Sequence, residues 1–421
     1  MEFEKSKKIL LSQLNDKYYT PRELMYGANP GFYLSPFDYN KYLDYIDAFI
    51  EKKYDAVYDL KLKSFNSDHI FYLANTELHS LNSSYINLLK EAIYENKPIV
   101  SNIFKDVIYK SRIYSEIEGT LNVENVPTTR KRLKELLEKE KQPESLNDVI
   151  IKNMDEGIKF VYSLPEFNKD NLLKLYKILS KDCLKEKDEI KEGQYYRDDE
   201  VEIDNYNGCP SNKVEECMDS LFTFVKEKIS KGDSLEQLYL PHICHYYIVY
   251  IHPYFDYNGR TARMVSLWIN LLVNDEIMPP LISEAISQNK NEYYKALRDS
   301  RDARNDITYF LLYILRTAVH YVLCYKDLET IDQFVKNQSN VLTETELNYV
   351  KKILVSYKGK FSYQDFVKNC QIEISKQGAF KILNRFVELK ILLVVDTPSK
   401  VKLFDINNKV IEYTRSKTIM H

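Results

Sequence analysis

Residues 251–264, IHPYFDYNGRTARM, bring a histidine, an aspartate, an Asn-Gly pair and two arginines together between apolar segments. His252 can accept a proton near neutral pH. Asp256 offers the kind of oxygen that Mg²⁺ takes when phosphates complete its shell. Arg260 and Arg263 carry guanidinium groups, which suit phosphate oxygens. The side-chain types therefore predict a site that acts on a nucleotide phosphate.

The elements on either side would position these groups. Helices are predicted over 240–251 and 260–274, so the polar segment leads into a helix N-terminus, where unpaired N–H groups and the dipole favour an anion. Asn258-Gly259 is a turn pair that lets the backbone approach a ligand. The alternative is an ordinary helix-helix loop with capping residues. It would suffice for any one of these side chains, but the whole set at this spacing favours a functional site.

The stretch HPYFDYNGRTAR resembles the motif HPFx(D/E)GNGRxxR of the Fic family. The likeness covers the histidine, the proline, the acidic residue, the NGR and the final arginine. Tyr254 replaces the usual phenylalanine, and Tyr257 replaces the first glycine of GNG. Because a tyrosine with positive φ would be strained, we expect position 257 to tolerate a side chain and Tyr257 to line the nucleotide or target entrance. Weaker likeness extends over about 98–325.

The resemblance implies a protein adenylyltransferase, which transfers AMP from ATP to a Ser, Thr or Tyr hydroxyl of a target protein. Self-modification is included among the possible targets. His252 would be the base that deprotonates the hydroxyl, and Asp256 would hold Mg²⁺ against the α- and β-phosphates. Four motif residues would bind the phosphates, namely Asn258, Gly259, Arg260 and Arg263. The residues by themselves indicate phosphate chemistry, whereas ATP and AMP transfer follow from the resemblance.

The segment YSEIEGTLN, residues 114–122, resembles the family's inhibitory pattern (S/T)xxxE(G/N), in the subgroup that carries it N-terminal to the Fic motif. Glu118 would then pair with Arg263, which the γ-phosphate needs, because the two anions compete for one guanidinium. Tyr114 stands where the pattern has a hydroxyl residue, so we expect weak inhibition. The alternative is a helix that simply ends at Gly119 with exposed glutamates.

A short alternating stretch predicts a small β-hairpin after GQYYR, residues 193–197. The resemblance implies that Val201, Glu202 and Ile203 in this hairpin form a flap. Such a flap binds the target segment by strand addition.

The predicted fold class is mostly α, with a Fic helical core, a hairpin flap, an N-terminal helical region and a C-terminal winged helix. The chain has 421 residues, of which 44% are hydrophobic, and only 10 Gly and 13 Pro, which is typical of a globular protein with long helices. We expect an N-terminal helical region over 1–97, the Fic domain with its inhibitory helix over 98–330, and the winged helix over 331–421.

The C-terminal part differs in charge from the rest. From residue 333 onward there are 15 Lys and Arg against 8 Asp and Glu. Three predicted helices and then two β-branched runs follow the order of a winged helix, whose third helix would carry Lys376, Lys381 and Arg385 into a DNA groove. A protein-contact module fits the pattern equally well. One rival function is therefore a DNA-binding regulator that senses a nucleotide. A third alternative, ranked lowest, is removal of AMP from modified targets, with Glu118 orienting a water molecule at the motif loop.

The compartment follows from cysteine usage and hydropathy. Six cysteines without a CxxC pair are typical of reduced thiols. The N-terminus lacks the apolar run of a signal peptide, and the longest apolar stretch, 309–325, is interrupted by Arg316 and His320. We expect a cytoplasmic protein with no membrane partner. The sequence does not determine the oligomeric state, and a homodimer is one of the alternatives.

Overall fold

The protein is described by a computed structural model that covers residues 57–66, 69–73, 76–90, 102–203, 206–232, 234–273, 283–356, 360–369, 374–395 and 402–414. A helix predicted over 38–53 lies outside the described residues. The chain divides into two compact units within one long helix, the first reaching Val319 and the second starting at His320.

The first unit is built mainly from helices, which confirms the mostly α class. Its helices are α1 (Thr76–Lys90), α2 (Asn102–Val123), α3 (Arg130–Leu137), α4 (Leu146–Tyr162), α5 (Lys169–Ser180), α6 (Ser211–Lys231), α7 (Ser234–Ile251), α8 (Asn258–Val273), α9 (Ser283–Gln288), α10 (Lys290–Asp302) and the part of α11 (Thr308–Asn337) up to Val319. The unit also has two antiparallel strand pairs. Strand β1 (Val57–Asp59) pairs with β2 (Phe71–Leu73), and β3 (Glu202–Ile203) pairs with β4 (Tyr206–Asn207).

Helices α7 and α8 pack against each other and carry much of the core. Ile248, Ile251, Val265 and Trp268 on them are fully buried, because both helices are apolar on most of their circumference. The indole Nε1 of Trp268 donates to the carbonyl of Pro165 at 3.0 Å, which satisfies its one polar group. The polar loop between α7 and α8 is thereby fixed at the end of a rigid helix pair.

Helix α4 begins with a side-chain cap at Ser145. The Ser145 hydroxyl accepts from the Asp148 N–H at 3.3 Å, and the Asp148 carboxylate accepts from the Ser145 N–H at 3.1 Å, which completes a capping box. Arg132 of α3 donates to the same carboxylate at 2.6 and 2.8 Å, and this hydrogen bonding lowers the pKa of Asp148. The cap therefore also ties α3 to α4.

Helix α2 does not end at Gly119, as one alternative had it, but continues to Val123. A Cβ added at Gly119 would lie 2.4 Å from the backbone nitrogen of Glu284. The glycine thus permits close packing of α2 on α9 and does not serve as a C-cap. As a result, α2 continues about one further turn, and Glu124 directly follows its last residue, Val123.

The second unit has helices α12 (Glu344–Ser356), α13 (Tyr363–Asn369), α14 (Lys376–Glu388) and α15 (Asn408–Thr414) and strands β5 (Phe361–Ser362), β6 (Leu392–Val395) and β7 (Leu403–Ile406). The strands form one antiparallel sheet in the order β5-β7-β6. Phe366, Leu383, Phe386 and Phe404 form the centre of its own hydrophobic core. Within the described ranges of both units, no helix is long and apolar enough to cross a membrane.

Candidate functional site

The loop between α7 and α8 is closed by backbone and side-chain hydrogen bonds. Its first residue, His252, takes φ +55° and its last, Tyr257, takes φ +66°, both in the left-handed region. The side chain of Asn258 donates to the Tyr254 carbonyl at 2.8 Å and accepts from the Tyr254 N–H at 3.0 Å. Asn258, predicted as a phosphate ligand, therefore uses its side chain to hold the loop.

Arg197 of the GQYYR stretch clamps this loop to the hairpin that precedes α6. Its Nε donates to the His252 carbonyl at 2.8 Å and its Nη1 to the Asp199 carbonyl at 2.6 Å, while Nη2 donates to the Cys209 carbonyl. The Arg197 N–H also donates to the Pro253 carbonyl at 3.0 Å. Burial lowers the pKa of Arg197, yet its donors bond to three carbonyls at once, as a rigid guanidinium can.

The predicted hairpin is present beside the loop. Glu202 pairs with Asn207 and Ile203 with Tyr206 in antiparallel register. The Gly208 N–H donates to the Val201 carbonyl at 3.0 Å and extends the pairing by one residue. All three residues predicted for a target-binding flap thus lie on one strand of this hairpin or at its start.

Arg263, in the early turns of α8, bonds to the end of α2. Its Nη2 lies 2.5 Å from the Glu124 Oε1, and its Nε donates to the Thr120 hydroxyl at 2.7 Å. Arg263 is only 2% exposed. The same Glu124 oxygen lies 2.8 Å from the position a Cβ would take at Gly259. The carboxylate therefore sits directly at the N-terminal turn of α8.

The charge state of Glu124 reflects its surroundings. Burial would favour the neutral acid, but the positive charge and hydrogen bond of Arg263 outweigh it. Arg260 and Lys290 act in the same direction, and the pKa of Glu124 is lowered. An anion is thus stabilised where the loop meets α8.

The expected pair of Glu118 with Arg263 is wrong. The Glu118 Oε2 instead lies 3.1 Å from the Nε of Arg130. The reason is helical geometry: α2 continues beyond Gly119, so Glu124, one and two-thirds turns further along, reaches α8. Burial raises the pKa of Glu118, and Arg130 opposes that rise.

Glu124 and Thr120 were missed, although the signal was in the sequence. Residues 120–125 read TLNVEN, which fits the quoted inhibitory pattern (S/T)xxxE(G/N) with its hydroxyl residue in place. The earlier segment ending in Glu118 lacks that hydroxyl. In the structure, the Thr120 hydroxyl and the Glu124 carboxylate both accept hydrogen bonds from the Arg263 guanidinium.

Arg260 is held differently from Arg263. Its guanidinium carbon lies 3.4 Å from the centroid of the Tyr257 ring, and its Nη2 is 3.9 Å from the Asp256 Oδ1. Arg260 is 7% exposed, and its Nε and Nη1 are buried with no hydrogen-bond partner in the described part of the chain. Buried donors of this kind are costly unless a ligand satisfies them.

Tyr257 does not line an entrance, because it is 3% exposed. The sequence also suggested that residue 257 would not need a positive φ, but Tyr257 has φ +66°. Tyr254, the other departure from the motif, is fully buried and stacks on Tyr176 with ring centroids 3.7 Å apart.

The two remaining motif side chains lie at the loop's surface. His252 is half-buried, and the side chain of Asp256 is 60% exposed, with its Oδ1 accepting from the Tyr257 N–H at 2.6 Å. The described residues contain no group of three or more His, Cys, Asp or Glu placed to hold a metal ion. A carboxylate such as Asp256 suits a Mg²⁺ ion whose other ligands are phosphates and water.

The predicted basic residues of the second unit all lie exposed on or near α14. Arg385, however, forms an ion pair with Glu346 at 2.6 Å and donates to the Val341 carbonyl at 3.1 Å. The Nζ of Lys376 lies 5.4 Å above the Tyr363 ring. Lys381 is exposed as well.

The first unit is a mostly helical domain with a polar loop before α8. The first turns of α8 carry two arginines, and a short hairpin lies beside the loop. Residues 166–269 match the Fic/DOC family. The matched range holds α5 to most of α8, including the loop and the hairpin.

Individual relatives agree with this placement. The chain is 30% identical over 102 residues to the protein adenylyltransferase Fic of Nematostella vectensis, an alignment that spans 24% of this chain and 22% of that relative. A Fic family protein from Desulfovibrio desulfuricans G20 superimposes over 80% of this chain and 97% of its own, with a TM-score of 0.50 at 15% identity. The latter likeness shows a shared fold.

Proposed function

We propose that this protein transfers AMP from ATP to a hydroxyl side chain of a protein target. The observation that carries the proposal is the Glu124 carboxylate bound to Arg263 at the N-terminus of α8. An anion bound there by the protein's own chain marks the place where a phosphate would bind. The name of the Nematostella vectensis relative supplies the reaction class.

The anion site has the charge that a triphosphate needs. Arg263, Arg260 and Lys290 all favour the ionised form of Glu124, and the α8 N-terminus adds its partial positive charge. Gly259 leaves room for an oxygen within 2.8 Å of where a side chain would begin. With Glu124 withdrawn, Arg263 would bind the γ-phosphate, and the unpartnered donors of Arg260 would bind the other phosphates.

The chemical step would use the half-buried His252 and the exposed Asp256 of the loop. His252 would accept the proton of the target hydroxyl as its oxygen attacks the α-phosphorus of ATP, and pyrophosphate would leave. Arg197 fixes the backbone of His252 through its carbonyl. Asp256 would hold Mg²⁺, which when bound neutralises charge on the phosphates. Val201, Glu202 and Ile203 would bind the target segment along the hairpin edge.

Inhibition in this proposal belongs to Glu124 and not to Glu118. Its carboxylate occupies the guanidinium that the γ-phosphate requires, so ATP would bind in a productive pose only after Glu124 moves away. Thr120 holds the same arginine through its Nε and helps to keep the inhibited arrangement in place.

The test is incubation of the purified chain with ATP labelled in the α-phosphate, alone and with a cell lysate, in the presence of Mg²⁺. We expect label on protein, and loss of at least about 100-fold in the His252→Ala variant, as for removal of a general base. Parallel incubations with labelled GTP, CTP and UTP assign the nucleotide. Undiminished transfer by His252→Ala would exclude the assigned base. Label from none of the four nucleotides in a Glu124→Ala variant, whose Arg263 is free of its inhibitory partner, would exclude nucleotidyl transfer.

We also propose a winged helix for the second unit. Its order of helix, strand, two helices and two strands, with the sheet order β5-β7-β6, supports that arrangement. A DNA-binding role receives less support, because Arg385 on the would-be recognition helix is engaged by Glu346. A salt-dependent gel shift with DNA, compared between the wild type and a Lys376→Ala/Lys381→Ala variant, tests it.

A further inference from the structure

We propose that Tyr257 is a positioning residue that holds the Arg260 guanidinium ready for a nucleotide's phosphates. This inference rests on the proposed function, and it concerns a position where the motif has glycine. The juxtaposition behind it is the Tyr257 ring 3.4 Å from the Arg260 guanidinium carbon, with two donors of Arg260 buried and unpartnered within the described residues.

The backbone at residue 257 adopts a conformation that its side chain disfavours. Its φ of +66° is ordinary for glycine and strained for tyrosine. Such strain persists only where the surroundings hold the residue in place. Here Tyr257 is 3% exposed, so its neighbours enclose the side chain almost completely. A bulky side chain in this position therefore indicates a role that glycine could not serve.

The two motif arginines show what that role is. Arg263 is held by a carboxylate and a hydroxyl, which use its Nη2 and Nε. The guanidinium carbon of Arg260 instead lies over the Tyr257 ring, and its Nε and Nη1 have no partners among the described residues. A ring stacked on a guanidinium fixes its plane while its N–H groups, which point outward in that plane, stay available.

Preorganisation of this kind would strengthen phosphate binding. An arginine that is already ordered loses less conformational freedom when a ligand binds. Its buried donors also gain a partner at that moment. The alternative is that Tyr257 only fills space beneath the loop, in which case a side chain of similar volume would serve equally well.

The experiment measures ATP affinity by calorimetry in the full-length chain with Mg²⁺, in a Glu124→Ala background that frees Arg263. The added changes are Tyr257→Leu, which keeps apolar volume without a π face, Tyr257→Phe, Arg260→Ala, and the Tyr257→Leu/Arg260→Ala combination. We expect about 10-fold weaker binding for Tyr257→Leu and rescue by Tyr257→Phe. Arg260→Ala should weaken binding at least as much, and the combination should bind no more weakly than Arg260→Ala.

The outcomes separate the two proposals. Failure of the Glu124→Ala parent to bind ATP would count against the proposed function itself. Normal affinity of Tyr257→Leu, or a further loss when it is added to Arg260→Ala, would overturn the positioning role and leave the function standing. If Tyr257→Leu does not fold, Tyr257→Asn replaces it, because asparagine enters the left-handed region more readily.

Discussion

The Glu124 Oε1 lies 2.5 Å from the Arg263 Nη2, so the end of α2 is bound to the start of α8 by a largely buried ion pair. The contact joins residues 139 positions apart in the chain. Because Arg263 is buried, the pair excludes any other anion from its Nη2 while it lasts. The geometry thus connects a structural contact with the availability of the candidate site.

Replacement of Glu124 by alanine should raise AMP transfer, since it frees Arg263. Glu118→Ala is the matched variant on the same helix, and it should leave transfer unchanged because Glu118 pairs with Arg130. Glu124→Ala should also lower the free energy of unfolding, by about 3 kcal/mol, as a buried guanidinium loses its partner. ATP should restore much of that stability. Label incorporation and thermal unfolding with and without ATP measure both effects, and equal rises in transfer for the two variants would refute the assignment to Glu124.

Arg197→Lys should disrupt the loop that carries His252, because one ammonium nitrogen cannot reach the three carbonyls that the separate Nε, Nη1 and Nη2 atoms of the guanidinium contact. We expect a loss of about 2 kcal/mol in stability and at least 10-fold slower transfer in the Glu124→Ala background. Arg132→Lys loses a comparable set of bonds to Asp148, remote in sequence from the loop. It should lower the melting temperature without slowing transfer. Parallel slowing in both variants would mean that transfer reports stability alone.

Tyr254→Phe should stabilise the protein by about 1 kcal/mol, because the Tyr254 hydroxyl is buried with no hydrogen-bond partner in the described chain. Tyr247→Phe is the opposite case: the Tyr247 hydroxyl donates to the Lys63 carbonyl at 2.6 Å, and its loss should destabilise by about 1–2 kcal/mol. Denaturant unfolding of both variants measures the difference. A destabilised Tyr254→Phe variant would show that this hydroxyl is satisfied after all.

Glu116 should make stability depend on pH between about 4.5 and 7. Burial raises its pKa to about 7, against the opposing effect of hydrogen bonds from Ser283 and the charge of Arg263, while the nearby Glu284 raises it further. The fold therefore binds a proton that the unfolded chain has released in this range. Stability should fall as pH rises, by up to about 1.4 kcal/mol per pH unit, and become level above pH 7.

Glu116→Gln isolates this contribution, because the amide keeps acceptor and shape but cannot ionise. The difference between the wild-type and variant unfolding curves removes other titrating groups, including Asp306, whose pKa burial also raises to about 7. Parallel curves from pH 4.5 to 7 would show that Glu116 keeps its ordinary pKa in the fold.

Local patterns allowed most of the helical body to be predicted. The hairpin at Glu202–Ile203 and the helices on both sides of the motif depend on residues close in sequence, and each lies where it was expected. Gly119 shows the limit of such reasoning. A glycine near a predicted helix end is read as a cap, whereas here it admits the backbone of Glu284, which is distant in sequence.

The kind of site was predicted, but some of its contacts were predicted wrongly, because they join residues that are distant in sequence. Motif spacing placed Arg260 and Arg263 in the first turns of α8. It could not reveal which carboxylate of α2 reaches Arg263, because that depends on where the helix stops and how it packs. Nor could it show that Tyr257 adopts positive φ, since the stacking that holds it there arises only in the folded loop.

In the proposed function, Arg263 bonds either to Glu124 or to an incoming phosphate, so docking of the α2 terminus and occupancy of the anion site would be reciprocally coupled. By thermodynamic necessity, the factor by which a bound nucleotide loosens residues 120–124 equals the factor by which loosening them tightens nucleotide binding. Any effector that draws this short segment off α8 would act as an activator without contacting the nucleotide.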